Sequence, residues 1–137
     1  MQTAKFTTMR TLTTVLLAFG LLSNAACQKD EINTVETAYK AIVGEWEWEE
    51  SVIMAWGGTT IQTPMSENKT RRFIFRRDRS MSIVEDGNVV EDSEYGIAIN
   101  SDSELVLNEG AIISFRNWNT LVMSNPALGL SSYYTRK

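Results

Sequence analysis

The sequence predicts an all-β domain, an eight-stranded up-and-down antiparallel β-barrel behind one short N-terminal helix. Three observations carry this. From Gly44 onward the apolar residues recur with a period of two. The alternating runs are short and separated by turn-forming clusters such as Asp86-Gly87-Asn88 and Asn108-Glu109-Gly110. Helical spacing occurs only just before the first of these runs.

That helix comes from Ile32, Val35, Ala38, Tyr39, Ile42 and Val43, which predict an amphipathic segment over 33–42 ended by Gly44. About ten residues are too few to be helical alone, so the segment must dock on the sheet. Strand one, 45–56, places Trp46, Trp48, Val52, Met54 and Trp56 on one face and Glu45, Glu47 and Glu49 on the other. Glu50 has inward parity and would need a partner if buried. Residues 57–69, polar and holding Gly57-Gly58 and Pro64, read as an irregular flap gating the barrel mouth.

The remaining strands follow closely. Phe73 and Phe75 mark 70–77, Met81 and Ile83 mark 80–85, and Tyr95, Ile97 and Ile99 mark a strand over 89–99. Leu105 and Leu107 lead through a turn to Ile113 and Phe115. Asn117-Trp118-Asn119 turns into Leu121 and Met123, and residues 133–136 form the last strand. A meander of this kind removes its exposed edges by closing on itself.

Ahead of the domain stands an address. Lys5 and Arg10 precede an apolar run over 12–22, then Ala25, Ala26 and Cys27, the one cysteine of the chain. The run is short of the roughly 20 residues that span a bilayer. The pattern is that of a bacterial lipoprotein signal peptide, residues 1–26, cleaved before a cysteine that is then acylated. Asn24 stands where such signals usually carry leucine. Gln28-Lys29-Asp30-Glu31 resembles the surface-export signal of Bacteroidetes lipoproteins. Residues 27–32 then form the tether, 33–137 the domain, and the expected location is the outer membrane, lipid-anchored through Cys27 and surface-exposed.

Composition excludes several classes. Without residues 1–26 the chain has 11 basic and 17 acidic residues, a net charge of −6, unlike a nucleic-acid binder. It has no histidine, which removes Ser-His-Asp and Cys-His catalysis and histidine metal sites. With Cys27 acylated there is no disulfide. No pair of carboxylates is suitably placed for glycoside hydrolysis, and the acidic stretches at 85–94 and 102–104 lack calcium-loop spacing. The expectation is a protein without catalysis, cofactor or metal.

Gly44-x-Trp46 at the helix-to-strand junction and Arg136 near the end of the last strand resemble the lipocalin, or calycin, pattern. Phe73-x-Phe75, Tyr95-x-Ile97, Leu105-x-Leu107, Leu121-x-Met123 and Tyr134-x-Arg136 extend the similarity to the small lipocalin-like lipoproteins of Bacteroidetes. The resemblance implies that Arg136 packs over Trp46 at the closed end, with Gly44 beside it. It departs from the family at Asp78-Arg79-Ser80, where the family turns through Asp-Gly.

The resemblance implies a fold and a tendency to bind, not a substrate. Trp48, Trp56, Phe73, Phe75 and Tyr95 are the candidate lining of a pocket for a small, partly apolar ligand, with Arg71 or Arg77 fixing an acidic group. The alternative is that these rings fill the barrel, which eight strands make just wide enough for side chains or one small ligand. The arginines at 71–79 would then pair with Glu45, Glu47 and Glu49 on the neighbouring strand. In that case the protein would meet a protein or glycan partner with its exterior, Trp118 serving as an anchor.

Overall fold

The computed structural model describes residues 31–137. The predicted signal peptide, Cys27 and most of the predicted tether lie outside the described residues. Among those described, no helix is long and apolar enough to cross a membrane.

Helix α1 (Val35–Ile42) starts two residues later than predicted because Thr34 and Thr37 cap it reciprocally. Ten strands follow in one antiparallel, curled sheet: β1 (Gly44–Ala55), β2 (Gly58–Gln62), β3 (Arg71–Phe75), β4 (Ser80–Glu85), β5 (Asn88–Glu94), β6 (Ile97–Ile99), β7 (Leu105–Leu107), β8 (Ala111–Asn117), β9 (Thr120–Asn125) and β10 (Leu130–Arg136). A four-residue helix, α2 (Pro64–Glu67), follows β2, and a 3₁₀ turn (Pro126–Leu128) follows β9. The strand order is β5-β4-β3-β1-β10-β9-β8-β7-β6, with β2 added to β1.

The architecture is thus an antiparallel meander as predicted, but it has ten strands rather than eight. Residues 57–69 are not an irregular flap. Gly57 and Gly58, both at positive φ, turn the chain back so that β2 pairs with β1 from Ser51↔Gln62 to Ala55↔Gly58. Residues 89–99 are two strands, because the chain leaves one edge of the sheet and joins the other at Tyr95-Gly96. Tyr95 N donates to Arg79 O on the β4 side, and Asn108 N donates to Gly96 O on the β7 side. The two edges, β5 and β6, are consecutive in sequence but do not pair.

A second correction lies in β1. Trp48 faces Tyr134 and Glu50 faces Tyr133, leaving Glu49 as an extra residue, a β-bulge. One inserted residue reverses the parity of everything after it. Ser51, not Val52, therefore follows Trp48 into the interior. Glu50 is only half-buried. Met54 and Trp56 turn outward and are exposed.

The core joins Ala38 and Ile42 of α1 to Trp46, Trp48, Phe75, Met81, Tyr95, Ile97, Leu105, Leu107, Ile113, Leu121, Met123 and Tyr134. At the α1–β1 corner, Trp46 Nε1 donates to Ile42 O over 2.7 Å. The Arg136 guanidinium lies 4.3 Å from the centre of the Trp46 ring. It donates to the carbonyls of Trp118, Val43 and Ala41. A Cβ on Gly44 would sit 2.6 Å from Arg136 Nη1, which explains the glycine.

Candidate functional site

The predicted pocket residues divide into three groups. Phe73, Phe75 and Tyr95 come together inside the sheet. Phe73 and Phe75 stack at 5.8 Å between centres, and Phe75 meets Tyr95 edge-to-face at 5.0 Å. Tyr134 extends the row beyond Phe73 at 5.2 Å, and Tyr39 extends it beyond Tyr95 at 6.0 Å. Trp48 is buried in the same core, its Nε1 donating to Ser51 Oγ, which in turn bonds Ser132 Oγ. Phe75 is 1% exposed and Tyr95 5%, so these rings pack against one another. Trp56 lies just beyond β1, in the β1–β2 turn, and is fully exposed.

The two arginines lie at opposite ends of the aromatic row. Arg71 shares the face of Phe73 and Phe75 and is held by Glu85 of β4, Nη2 to Oε1 at 2.6 Å and Nε to Oε1 at 2.9 Å. Lys69 reaches the other Glu85 oxygen at 2.8 Å. These two cations, Lys69 and then Arg71, hold the Glu85 carboxyl below the usual carboxylate range. Tyr134, near Arg71, has its phenol pushed up by burial. Arg72, on the opposite face, meets Glu45 at 3.3 Å. Arg77 has the parity of Phe75 but does not point inward, because β3 ends at Phe75 and Arg77 lies exposed in the following turn.

That turn builds the most distinctive site on the surface. Arg79 adopts φ +67°, a left-handed conformation to which glycine is better suited than arginine. Its N–H donates to Arg76 O, and its own carbonyl accepts from Tyr95. The side chain swings over α1 and stacks on Tyr39, 4.1 Å from the ring centre. Tyr39 Oη accepts from Ile97 N at 2.8 Å, and Tyr95 Oη donates to Arg76 O at 2.9 Å, so both rings are fixed. Burial and the neighbouring Tyr39 push the Tyr95 phenol up.

The result is a groove of about 750 Å³ between α1 and the β3–β4 turn. Val35 and Val43 supply apolar walls, Tyr39 and Tyr95 aromatic surface, and Lys40, Arg77 and Arg79 positive charge. Glu36 offsets Lys40 through a 2.8 Å ion pair. Asp78, between the two arginines, accepts from Ser80 N and Oγ, and Arg77 and Arg79 outweigh it in charge. A second concavity of about 760 Å³ on the outer face of β6–β8 is lined by Ala98, Val106 and Ile112 and carries no cation.

Of the predicted site residues, only Tyr95 and Arg77 reach the groove. Tyr39 and Arg79 were outside the predicted set. Tyr39 reads as one more residue of the helix's apolar face. The visible trace of Arg79 in the sequence is the Asp78-Arg79-Ser80 turn, which carries no glycine. Among the described residues, no three acidic side chains gather to hold a metal ion. Comparison of the chain with models of known families, with curated proteins and with solved structures finds no match.

Proposed function

We propose that this chain is a cell-envelope lipoprotein whose lipocalin-like domain binds a small, partly apolar ligand carrying an acidic group, without catalysis. The domain is read as a barrel drawn together at Tyr95-Gly96 between β5 and β6. Acylation of Cys27 would hold it on the outer membrane, facing outward. The observation that carries the binding reading is the groove pairing Tyr39 and Tyr95 with Arg77 and Arg79. An acyl chain or ring against Val35, Val43 and the tyrosines would gain about 25 cal/mol per Å² of apolar surface buried. A phosphate or carboxylate would accept charge-assisted hydrogen bonds from the arginines.

The ligand site of this reading is therefore the outer groove, since the interior rings already pack on one another. That packed interior also favours a second reading, a protein that meets a partner with its exterior. Trp118, 44% exposed at the β8–β9 turn, would be an anchor for it.

Titration with decyl phosphate below its micellar concentration, beside decanol and inorganic phosphate, separates the readings. A ligand groove binds decyl phosphate at least tenfold more tightly than either half alone, and Arg79→Ala weakens it. Equal, weak binding of all three by both proteins would reject the groove and favour the exterior-contact reading.

A further inference from the structure

The described surface has a second unusual region, at the opposite side of the chemistry just discussed. Met54, Trp56, Ile61, Met65 and Leu128 are between 58% and 107% exposed, and all belong to β1–β2, α2 or the 3₁₀ turn. These segments are physically joined. Met54 N donates to Gly129 O at 2.9 Å, and β2 pairs back on β1 as far as Ala55. Thr63 and Ser66 cap α2 reciprocally, fixing Met65 beside the hairpin.

The region is also poor in charge, Glu67 at the end of α2 being the exception. Residues 51–66 contain no Asp, Glu, Lys or Arg, and neither do residues 117–135, which include the 3₁₀ turn. In a mature chain of net −6 this is a pronounced segregation. A protein partner recognised by charge has little besides Glu67 to engage here, whereas an apolar hairpin tip carrying a tryptophan suits the headgroup layer of a bilayer.

Position supports the same occupant. Ile32 and Asn33, where the tether enters the domain, lie beside Ile112 and Ile113. Ile112 pairs with Ser124, Ser124 with Ser131, and Ser131 with Val52 at the base of the hairpin. Tether entry and hairpin base thus lie on one cross-strand row, three strand spacings or about 14 Å apart. The chain from Cys27 to Ile32, five residue steps, extends at most about 18 Å.

We propose that the β1–β2 hairpin, with Met65 and Leu128 beside it, is a second membrane contact that seats Trp56 in the headgroup layer of the bilayer holding the Cys27 anchor. The proposal rests on the reading of Cys27 as lipidated, and its test is independent of that reading. Cys27 is the sole cysteine. The chain from residue 27 can therefore be coupled through it to maleimide-lipid vesicles of neutral phosphatidylcholine, whether or not the cell acylates it.

The readout is quenching of tryptophan emission by brominated acyl chains, in a Trp118→Phe background to leave Trp56 as the exposed indole. Quenching that disappears in Trp56→Ser and weakens in Met65→Ser, with unchanged circular dichroism, is the expected result. Absence of quenching in the coupled protein, or equal quenching in Trp56→Ser, overturns the proposal. So does a blue shift of Trp56 that grows with protein concentration without vesicles, which assigns the hairpin to a second copy of the chain. Acylation of Cys27 in cells is read separately, from the mass of the N-terminal peptide.

Discussion

The guanidinium of Arg79 stacks 4.1 Å above the ring of Tyr39 from a backbone held at φ +67°. A left-handed non-glycine residue costs about 1–2 kcal/mol, and an exposed cation–π contact returns about 0.5–1 kcal/mol. The arginine is therefore neutral to mildly unfavourable for folding. Arg79→Gly is expected to leave stability unchanged or raise it by up to about 1.5 kcal/mol in urea denaturation. The same variant loses a charge-assisted hydrogen bond of about 1.5–3 kcal/mol, so its affinity for decyl phosphate falls at least about tenfold. Equal affinity in the two proteins would remove Arg79 from the site.

Ser51 takes the interior position that the Glu49 bulge opens, and it satisfies the buried Trp48 indole while bonding Ser132 at 2.7 Å. Ser51→Ala leaves the Trp48 N–H without its partner, at a cost of about 1–3 kcal/mol. Ser132→Ala leaves the Ser51–Trp48 bond in place and costs less. Urea midpoints of the two single variants and the double variant, read as a thermodynamic cycle, check both the order and the coupling.

Gly129 and Gly87 are both at positive φ, but only one is crowded. A Cβ at Gly129 would lie 2.2 Å from Met54 O, while one at Gly87 meets nothing within 4 Å. Gly87→Ala should cost about 1–2 kcal/mol from its backbone alone. Gly129→Ala adds overpacking of roughly 1–3 kcal/mol and must push the 3₁₀ turn away from β1. Thermal unfolding should rank Gly129→Ala clearly below Gly87→Ala. Loss of the Met54–Gly129 hydrogen bond should appear as faster amide exchange at Met54.

Glu85 carries a pH dependence whose sign follows from its partners. Its carboxyl titrates lower in the folded chain than in the unfolded one, because Lys69 and Arg71 stabilise the anion. Stability from this group is then fully present above the unfolded carboxylate value of about 4.3 and is lost as pH falls through the lower, folded value. Carboxyl NMR titration of Glu85 should give a midpoint below the ordinary range, moving upward in Lys69→Ala and in Arg71→Ala. A midpoint unmoved in both variants would show that neither cation acts on it.

Local alternation made most strands legible, and particular residues show where it stopped. Phe73 and Phe75, or Leu105 and Leu107, read correctly because inward apolar residues alternate within one unbroken strand. The bulge was hidden because Glu47, Glu49 and Glu50 are alike in chemistry, so no composition change marks the extra residue. Met54 therefore faces out where alternation predicts it in, and Trp56 falls in the turn beyond the strand. Strand β2 was hidden because Thr59 and Thr60 are polar and only their pairing with Ile53 and Met54 makes them a strand. At the site, Arg77 and Tyr95 were individually visible. The meeting of Tyr39 with Arg79 was not, since it depends on how a helix docks against a turn forty residues away.

Phe75 decides between a packed interior and a hollow one. Its ring is 1% exposed and contacts Tyr95 on one side and Phe73 on the other, so it is the middle member of the aromatic row. If the interior is packed, Phe75→Ala removes those contacts and leaves a void that neighbours fill only in part, costing about 3–5 kcal/mol. Phe73→Ala, on the same strand but half-exposed, loses less burial and should cost less. A hollow interior predicts otherwise: truncation merely enlarges an existing cavity, the two variants cost similar and smaller amounts, and the Phe75→Ala protein gains no new affinity for a small apolar probe such as benzene. Urea denaturation of the two variants with and without benzene distinguishes these outcomes. A large Phe75 penalty that benzene partly restores is the result expected of this core.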